Sequence, residues 1–132
     1  DRRPALKLRV LDNSIRLRLS QSEVDAMRAG GPVAGQVPFA AGSRFDYVLE
    51  CSAEIERPEA SFVGSAMTVR LPHADVVRWA DSDQVSIRAE QTVDAEQILK
   101  ILVEKDFACL SPRADEDESD LFAHPEAGKK TC

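Results

Sequence analysis

Leu6-Lys7-Leu8-Arg9-Val10 alternates apolar and basic residues with a period of two, the mark of a strand with one face in a core and one in water. Asp12-Asn13 supplies turn chemistry, and Ile15-Arg16-Leu17-Arg18-Leu19 alternates again, so the two segments predict a β-hairpin. Ser20-Gln21-Ser22-Glu23 has the spacing of a capping box, in which the Ser20 hydroxyl takes the amide of Glu23 and the Glu23 side chain reaches back. A short helix follows through Val24, Met27 and Arg28, stopped by Gly30-Gly31-Pro32. The pattern then predicts a weak strand at Val37–Phe39 and a stronger one from Arg44 to Ser52, separated by Ala41-Gly42-Ser43.

Ser61–Val63 and Met67–Leu71 form a further strand pair across Gly64-Ser65. Pro72 suits the first turn of a second helix, which Asp75, Val76 and Trp79 continue to Asp81-Ser82-Asp83. Val85–Ala89 alternates as a strand, and Ile98–Val103 is apolar enough for a buried strand or a short helix; the hairpin context favours the strand. After Phe107 the periodicity dissolves into Ser111-Pro112-Arg113 and an acidic run.

The order of elements repeats. A shift of 52 positions lays Leu17-Arg18-Leu19 on Val69-Arg70-Leu71, Ser20 on Pro72, Met27 on Trp79 and the turn residue Asp12 on Gly64. Identities are few, but turns, helix starts and apolar phase agree. The expectation is an α+β fold: a strongly bent antiparallel sheet or open barrel of about eight strands with two short helices, built as a tandem β-β-α-β-β pseudo-repeat over residues 5–53 and 58–105. Met27 and Trp79 become paired core contacts.

The chain of 132 residues is 43% apolar and 30% charged, ordinary for one globular domain, here expected over residues 1–110 with an acidic tail over 111–132. No apolar run approaches the roughly 18 residues of a membrane span, and the first residues lack a signal-peptide apolar region, so no membrane partner is expected. A formal net charge of −6 argues against a nucleic-acid partner. Most of that charge sits in Asp115-Glu116-Asp117-Glu118-Ser119-Asp120, while the first hairpin is cationic.

Lys7 and Arg9 share one face of their strand, and Arg16 and Arg18 share one face of theirs. With the apolar residues inward, these four form a cationic ladder; Arg70 repeats Arg18, and Arg88 and Lys100 lie on other strands. Lining a concavity, such a face binds phosphate or carboxylate groups, which match the guanidinium fork; left open, it is a solvent face of mixed charge. Glu50, Glu90 and Glu104 are the acids available to offset the repulsion.

Three widely spaced cysteines do not suggest a disulfide scaffold, and a reducing cytoplasm is the simpler assignment. Cys51 reads as a small buried strand residue. Cys109, His124 and Cys132 offer two thiolates and an imidazole, a donor set for zinc, although neither gap matches a tight zinc knuckle. The acidic run could hold magnesium or calcium weakly, without the glycine and phasing of an EF-hand. There is no Gly-rich phosphate loop, no G-x-S-x-G and no H-E-x-x-H, and neither His73 nor His124 has a nucleophile near it in sequence.

The stretch from Asp12 to Val24, together with Ser82-Asp83-Gln84-Val85, Glu104-Lys105-Asp106-Phe107-Ala108-Cys109-Leu110 and the Asp/Glu run, resembles a family of small uncharacterised bacterial proteins. The likeness covers most of the chain and implies bacterial origin and a stand-alone protein, with no activity attached. In topology, the tandem β-β-α-β-β arrangement is similar to the triphosphate-tunnel (CYTH-like) fold, whose enzymes bind polyphosphate inside a wide barrel. Their first strand carries alternating glutamates followed by a lysine. Lys7 and Arg9 occupy the alternating positions here, so no catalytic residue carries over.

Three readings stand at this point. The first is a non-enzymatic domain holding a small anion or a partner segment on its basic face. The second is a divergent metal-dependent phosphohydrolase. The third is a structural or protein-interaction module.

Overall fold

In a computed structural model describing residues 6–107 and 120–123, the chain runs β1 (Lys7–Leu11), β2 (Ser14–Leu19), α1 (Gln21–Arg28), β3 (Val33–Ala40), β4 (Ser43–Ser52), β5 (Glu59–Val63), β6 (Ala66–Pro72), α2 (His73–Ala80), β7 (Ser86–Thr92) and β8 (Ile98–Lys105). The order β-β-α-β-β occurs twice, in an α+β fold. Two differences from the expected spans share a cause. β3 begins four residues before Val37, and β7 continues through Glu90-Gln91-Thr92. Both stretches are small or polar, so partner strands, rather than their own apolar pattern, hold them extended.

The strands form two four-stranded sheets, ordered β1-β2-β8-β7 and β3-β4-β6-β5. Each sheet therefore takes one hairpin from each repeat. The four hairpins are antiparallel, as expected, but the junctions β2–β8 and β4–β6 are parallel. The reason is geometric. All four hairpin turns lie at one end, so every second strand runs back towards the helices, and each sheet places its two second strands side by side. Two turn positions make the repeat visible in the backbone: Asp12 and Gly64, the pair related by the 52-residue shift, both have positive φ, 48° and 60°.

Period-two alternation delivers Leu17, Leu19, Ile101 and Val103 from the first sheet, and Leu49, Val69 and Leu71 from the second, to one shared core. At the end away from the turns, α1 packs on α2 and buries Val24 and Met27, while α2 buries Val76 and Trp79; Met27 and Trp79 have no exposed surface. Trp79 donates its indole N–H to the Val85 carbonyl at 2.9 Å. The helices are tied by Arg28 Nε to Asp81 at 2.9 Å, and a His73 ring nitrogen lies 3.4 Å from the Arg28 carbonyl.

Among the described residues the sheets are not joined by a backbone ladder along either flank; side chains bridge the gaps. The Gln91 amide, on β7, accepts from Ala60 N–H at 2.7 Å and donates to Ala60 C=O at 2.9 Å, so it stands in for a neighbouring strand at the β5 edge. On the other flank the Tyr47 hydroxyl donates to the Leu6 carbonyl at 2.8 Å. Tyr47 reaches that position by lying over Gly35, its cross-strand partner: a Cβ there would sit 2.4 Å from the ring.

The capping box forms. The Ser20 oxygen accepts from Glu23 N–H, and Glu23 Oε1 accepts from Ser20 N–H at 2.9 Å. The remaining amides at the start of α1 are met from the far end of the chain: Gln21 N–H donates to the Asp120 carbonyl and Ser22 N–H to its carboxylate, which the Ser22 hydroxyl also engages. Phe122 bridges to Phe107, with ring centroids 5.6 Å apart. Pro72, expected within the first helical turn, is instead the residue just before α2 and contributes no side-chain cap. Among the described residues no helix is long and apolar enough to cross a membrane.

Candidate anion-binding face

The register of the first sheet lays its outward side chains in three rows of four. Nearest the helices stand Lys7, Arg18, Glu104 and Ser86; next come Arg9, Arg16, Leu102 and Arg88; nearest the turns lie Leu11, Ser14, Lys100 and Glu90. Each position follows from the strand pleat: once Leu17 and Leu19 face the core, Arg16 and Arg18 must face out.

Acids are concentrated at the helical end of this face. Glu104 Oε1 accepts from Arg16 Nε at 2.7 Å and from Arg18 Nε at 3.0 Å, and Arg16 Nη2 lies 2.6 Å from the same oxygen. The Glu104 side chain is only 13% exposed, so two guanidinium groups converge on one half-enclosed carboxylate. Lys7 Nζ pairs with Asp106 at 2.7 Å. Asp106 is a buried residue just beyond β8, outside any periodic pattern, which is why its role had no signal in the sequence.

The middle row holds three arginines and a leucine, with no acid directly across any strand. Arg9 and Arg88 are exposed, and among the described residues neither makes an ion pair. Lys100 is likewise without an ion pair among those residues, although Glu90 stands opposite it in register. The face is hollowed in two places. A concavity of about 520 Å³ is bordered by Ser14, Arg16, Arg88, Glu90, Lys100 and Leu102. A smaller hollow of about 110 Å³ is bordered by Lys7, Arg9, Arg16 and Arg18, the four cations of the first hairpin.

Arg70 does not join this set. It projects from the outer face of the second sheet, where Glu50 accepts from its Nε at 2.7 Å and Glu59 lies 3.6 Å from Nη1. The repeat relates it to Arg18 in role, while the exchange of hairpins places it on the other sheet. Cys109, His124 and Cys132 lie outside the described residues. Among the described residues no group of three or more histidine, cysteine or acidic side chains is placed to hold a metal ion.

The space between the sheets, where a triphosphate tunnel holds its ligand, is filled here by Leu17, Leu19, Leu49, Val69, Leu71 and Val103, all without exposed surface. The cations line the outside. Lys105 is the inward-facing exception: it is 7% exposed, and its ammonium donates to the Ser82 carbonyl at 2.8 Å and lies 5.5 Å from the centre of the Phe122 ring. Burial pulls its pKa below the ordinary lysine value, against the pull of Asp83. Its partners belong to the packing of the 82–85 loop and of Phe122. Cys51 is half-buried on β4 with its thiol 3.7 Å from the Met27 carbonyl, and burial pushes its pKa up, away from a reactive thiolate.

A family model, described as a family of unknown function (DUF7009), matches residues 6–126. The chain belongs to that family. The match spans nearly the whole sequence, as the resemblance to small uncharacterised proteins implied, and it includes every cation of the first sheet's outer face. No curated protein and no solved structure matches the chain.

Proposed function

We propose that this protein is a binding module for a small anion, a phosphate- or carboxylate-bearing ligand held on the outer face of the first sheet. The observation that carries the reading is the row Arg9–Arg16–Leu102–Arg88, in which three guanidinium groups share a face with no acid across from any of them. Like charges so arranged cost free energy that a bound anion offsets, and the fork of arginine suits two oxygens of one phosphate or carboxylate. Glu104 is an internal stand-in for such a ligand: its carboxylate already draws together Arg16 and Arg18, both of which border the smaller hollow.

Binding rather than turnover fits the composition of the face. Its three rows contain cations, two serines, two leucines and the acids Glu90 and Glu104, of which Glu104 is held by arginines. A phosphohydrolase of the triphosphate-tunnel type relies on an acidic, cationic interior, and this interior is apolar.

Calorimetric titration with inorganic phosphate, tripolyphosphate and citrate at low ionic strength tests the proposal. Saturable binding that raises the melting temperature, and that falls about tenfold or more in Arg9→Glu and Arg88→Glu, is the expected result. The absence of binding by all three anions, or affinity unchanged in both variants, overturns it. Phosphate release from tripolyphosphate with Mg²⁺ or Mn²⁺ would replace it with the hydrolase reading.

A further inference from the structure

The end of the molecule opposite the helices has a different character, independent of the basic face. All four hairpin turns gather there, and among the described residues six of the eight exposed large apolar side chains lie in or within two residues of them. The repeat duplicates the arrangement. Val10 and Phe62, related by the 52-residue shift, point inward at the mouth between the sheets and are 61% and 65% exposed. Their neighbours Leu11 and Val63 point outward from the same tips at 60% and 76% exposure. Between the sheets the mouth opens into a cavity of about 360 Å³ bordered by Val10, Ile15, Phe45, Phe62, Met67 and Leu99. That volume is at the lower end of the range of ligand pockets, a size for large anchoring side chains.

Charge around the mouth is one-sided. The turns of the first sheet carry Asp12, Asp94 and Glu96; the turns of the second, Ala41-Gly42 and Gly64-Ser65, carry none. The nearest cation of the second sheet, Arg44, is paired with Asp46 at 3.2 Å. The mouth is therefore apolar inside, acidic along one rim and apolar along the other.

We propose that this mouth docks a basic amphipathic segment of a partner protein, with apolar side chains seated between the sheets and lysines or arginines against Asp12, Asp94 and Glu96. Monomeric proteins seldom leave such a concentration of large apolar side chains in water, and burial of Val10 and Phe62 supplies the driving force. The acids select the occupant. A second copy meeting this end face to face offers no cation from any of its four turns to these acids, and an anionic lipid surface would be repelled by them. A helix with one apolar and one basic face matches both halves of the rim.

The test uses the full chain and a fluorescein-labelled peptide of about two heptads of leucine and lysine in amphipathic order, with the same residues scrambled as the control. Saturable binding of the ordered peptide is expected, falling about tenfold or more in Phe62→Ser, in Val10→Ser and in the combined Asp12→Asn/Asp94→Asn/Glu96→Gln variant, and unchanged in Arg78→Gln on the exposed side of α2. Both apolar sites are exposed, and an unchanged melting temperature verifies that the serine variants remain folded. Equal binding of the scrambled peptide, or binding that survives the serine substitutions, overturns the proposal. So does a mouth-dependent association with phosphatidylglycerol vesicles, or a dimer in solution, in the absence of peptide binding.

Discussion

Arg18 lies directly across the parallel β2–β8 junction from Glu104, and its Nε donates to Oε1 at 3.0 Å. The same relationship occurs once more, where Arg70 lies across the parallel β4–β6 junction from Glu50 at 2.7 Å. The fold thus repeats not only its elements but an arginine–glutamate pair at each place where its two halves meet. The two copies differ in surroundings: Glu104 is 13% exposed and shared with Arg16, whereas Glu50 is 37% exposed.

That difference sets unequal costs. Glu104→Gln leaves two half-enclosed guanidinium groups side by side with no carboxylate between them and lowers stability by about 2 kcal/mol, between the exposed and buried ranges for ion pairs. Glu50→Gln, on the open face, costs about 0.5 kcal/mol. Urea denaturation of the two variants checks the order. Because Glu104 competes for the arginines that serve the proposed anion site, Glu104→Gln also binds tripolyphosphate more tightly than the parent chain.

Gly35 is needed for the space it leaves, not for its backbone freedom. A methyl group there meets the Tyr47 ring, which is buried and held by its hydrogen bond to Leu6. Gly35→Ala displaces the ring and breaks that bridge between the sheets, at a cost of about 1–3 kcal/mol. Gly35→Ala combined with Tyr47→Leu recovers part of the loss in a double-mutant cycle, since each change then removes the other's conflict.

Gln91 closes the opposite flank with two hydrogen bonds to one residue. Gln91→Ala leaves the N–H and C=O of Ala60 without those partners and costs about 2 kcal/mol, and Gln91→Glu, which keeps the acceptor but sets a carboxylate oxygen against the Ala60 carbonyl, is destabilising as well. Amide hydrogen exchange at Ala60 is the direct readout, with faster exchange expected in Gln91→Ala.

Glu23 makes stability depend on pH. Burial pushes its carboxyl above the ordinary value of 4.5, and Asp120 and Asp106 push the same way, against the hydrogen bonds from Ser20 that pull it down. The folded chain then holds this proton more tightly than the unfolded chain. The contribution is greatest when both states are protonated, and stability falls as pH rises from about 4.5 through the raised folded value. Glu23→Gln keeps a side chain able to complete the capping box and removes this component of the slope. Chemical denaturation of both chains across mildly acidic pH decides it: an unchanged slope in the variant overturns the assignment.

Local structure was legible wherever a short stretch carries its own instruction. Ser20 and Glu23 cap α1 because the spacing brings each side chain to the other's backbone. The outward direction of Lys7, Arg9, Arg16 and Arg18 follows from alternation alone, and the shift relating Asp12 to Gly64 reappears as two left-handed turns. β3 was only partly legible, because Val33-Ala34-Gly35-Gln36 has little apolar rhythm and is held extended by β4.

What the sequence by itself determined, then, is the set of hairpins, the two helices, their repetition and which side chains of each strand share a face. Only the tertiary structure decided that the first hairpin joins the last, that second strands meet in parallel, that Arg70 is parted from Arg18 by a whole sheet, and that Asp106 and Asp120 serve Lys7 and α1. The physical reason is the range of the forces. Turn geometry, capping and pleat act between residues a few positions apart and leave a local pattern. Pairing between hairpins is chosen by the burial of a core shared across the whole chain, and no short segment records its choice.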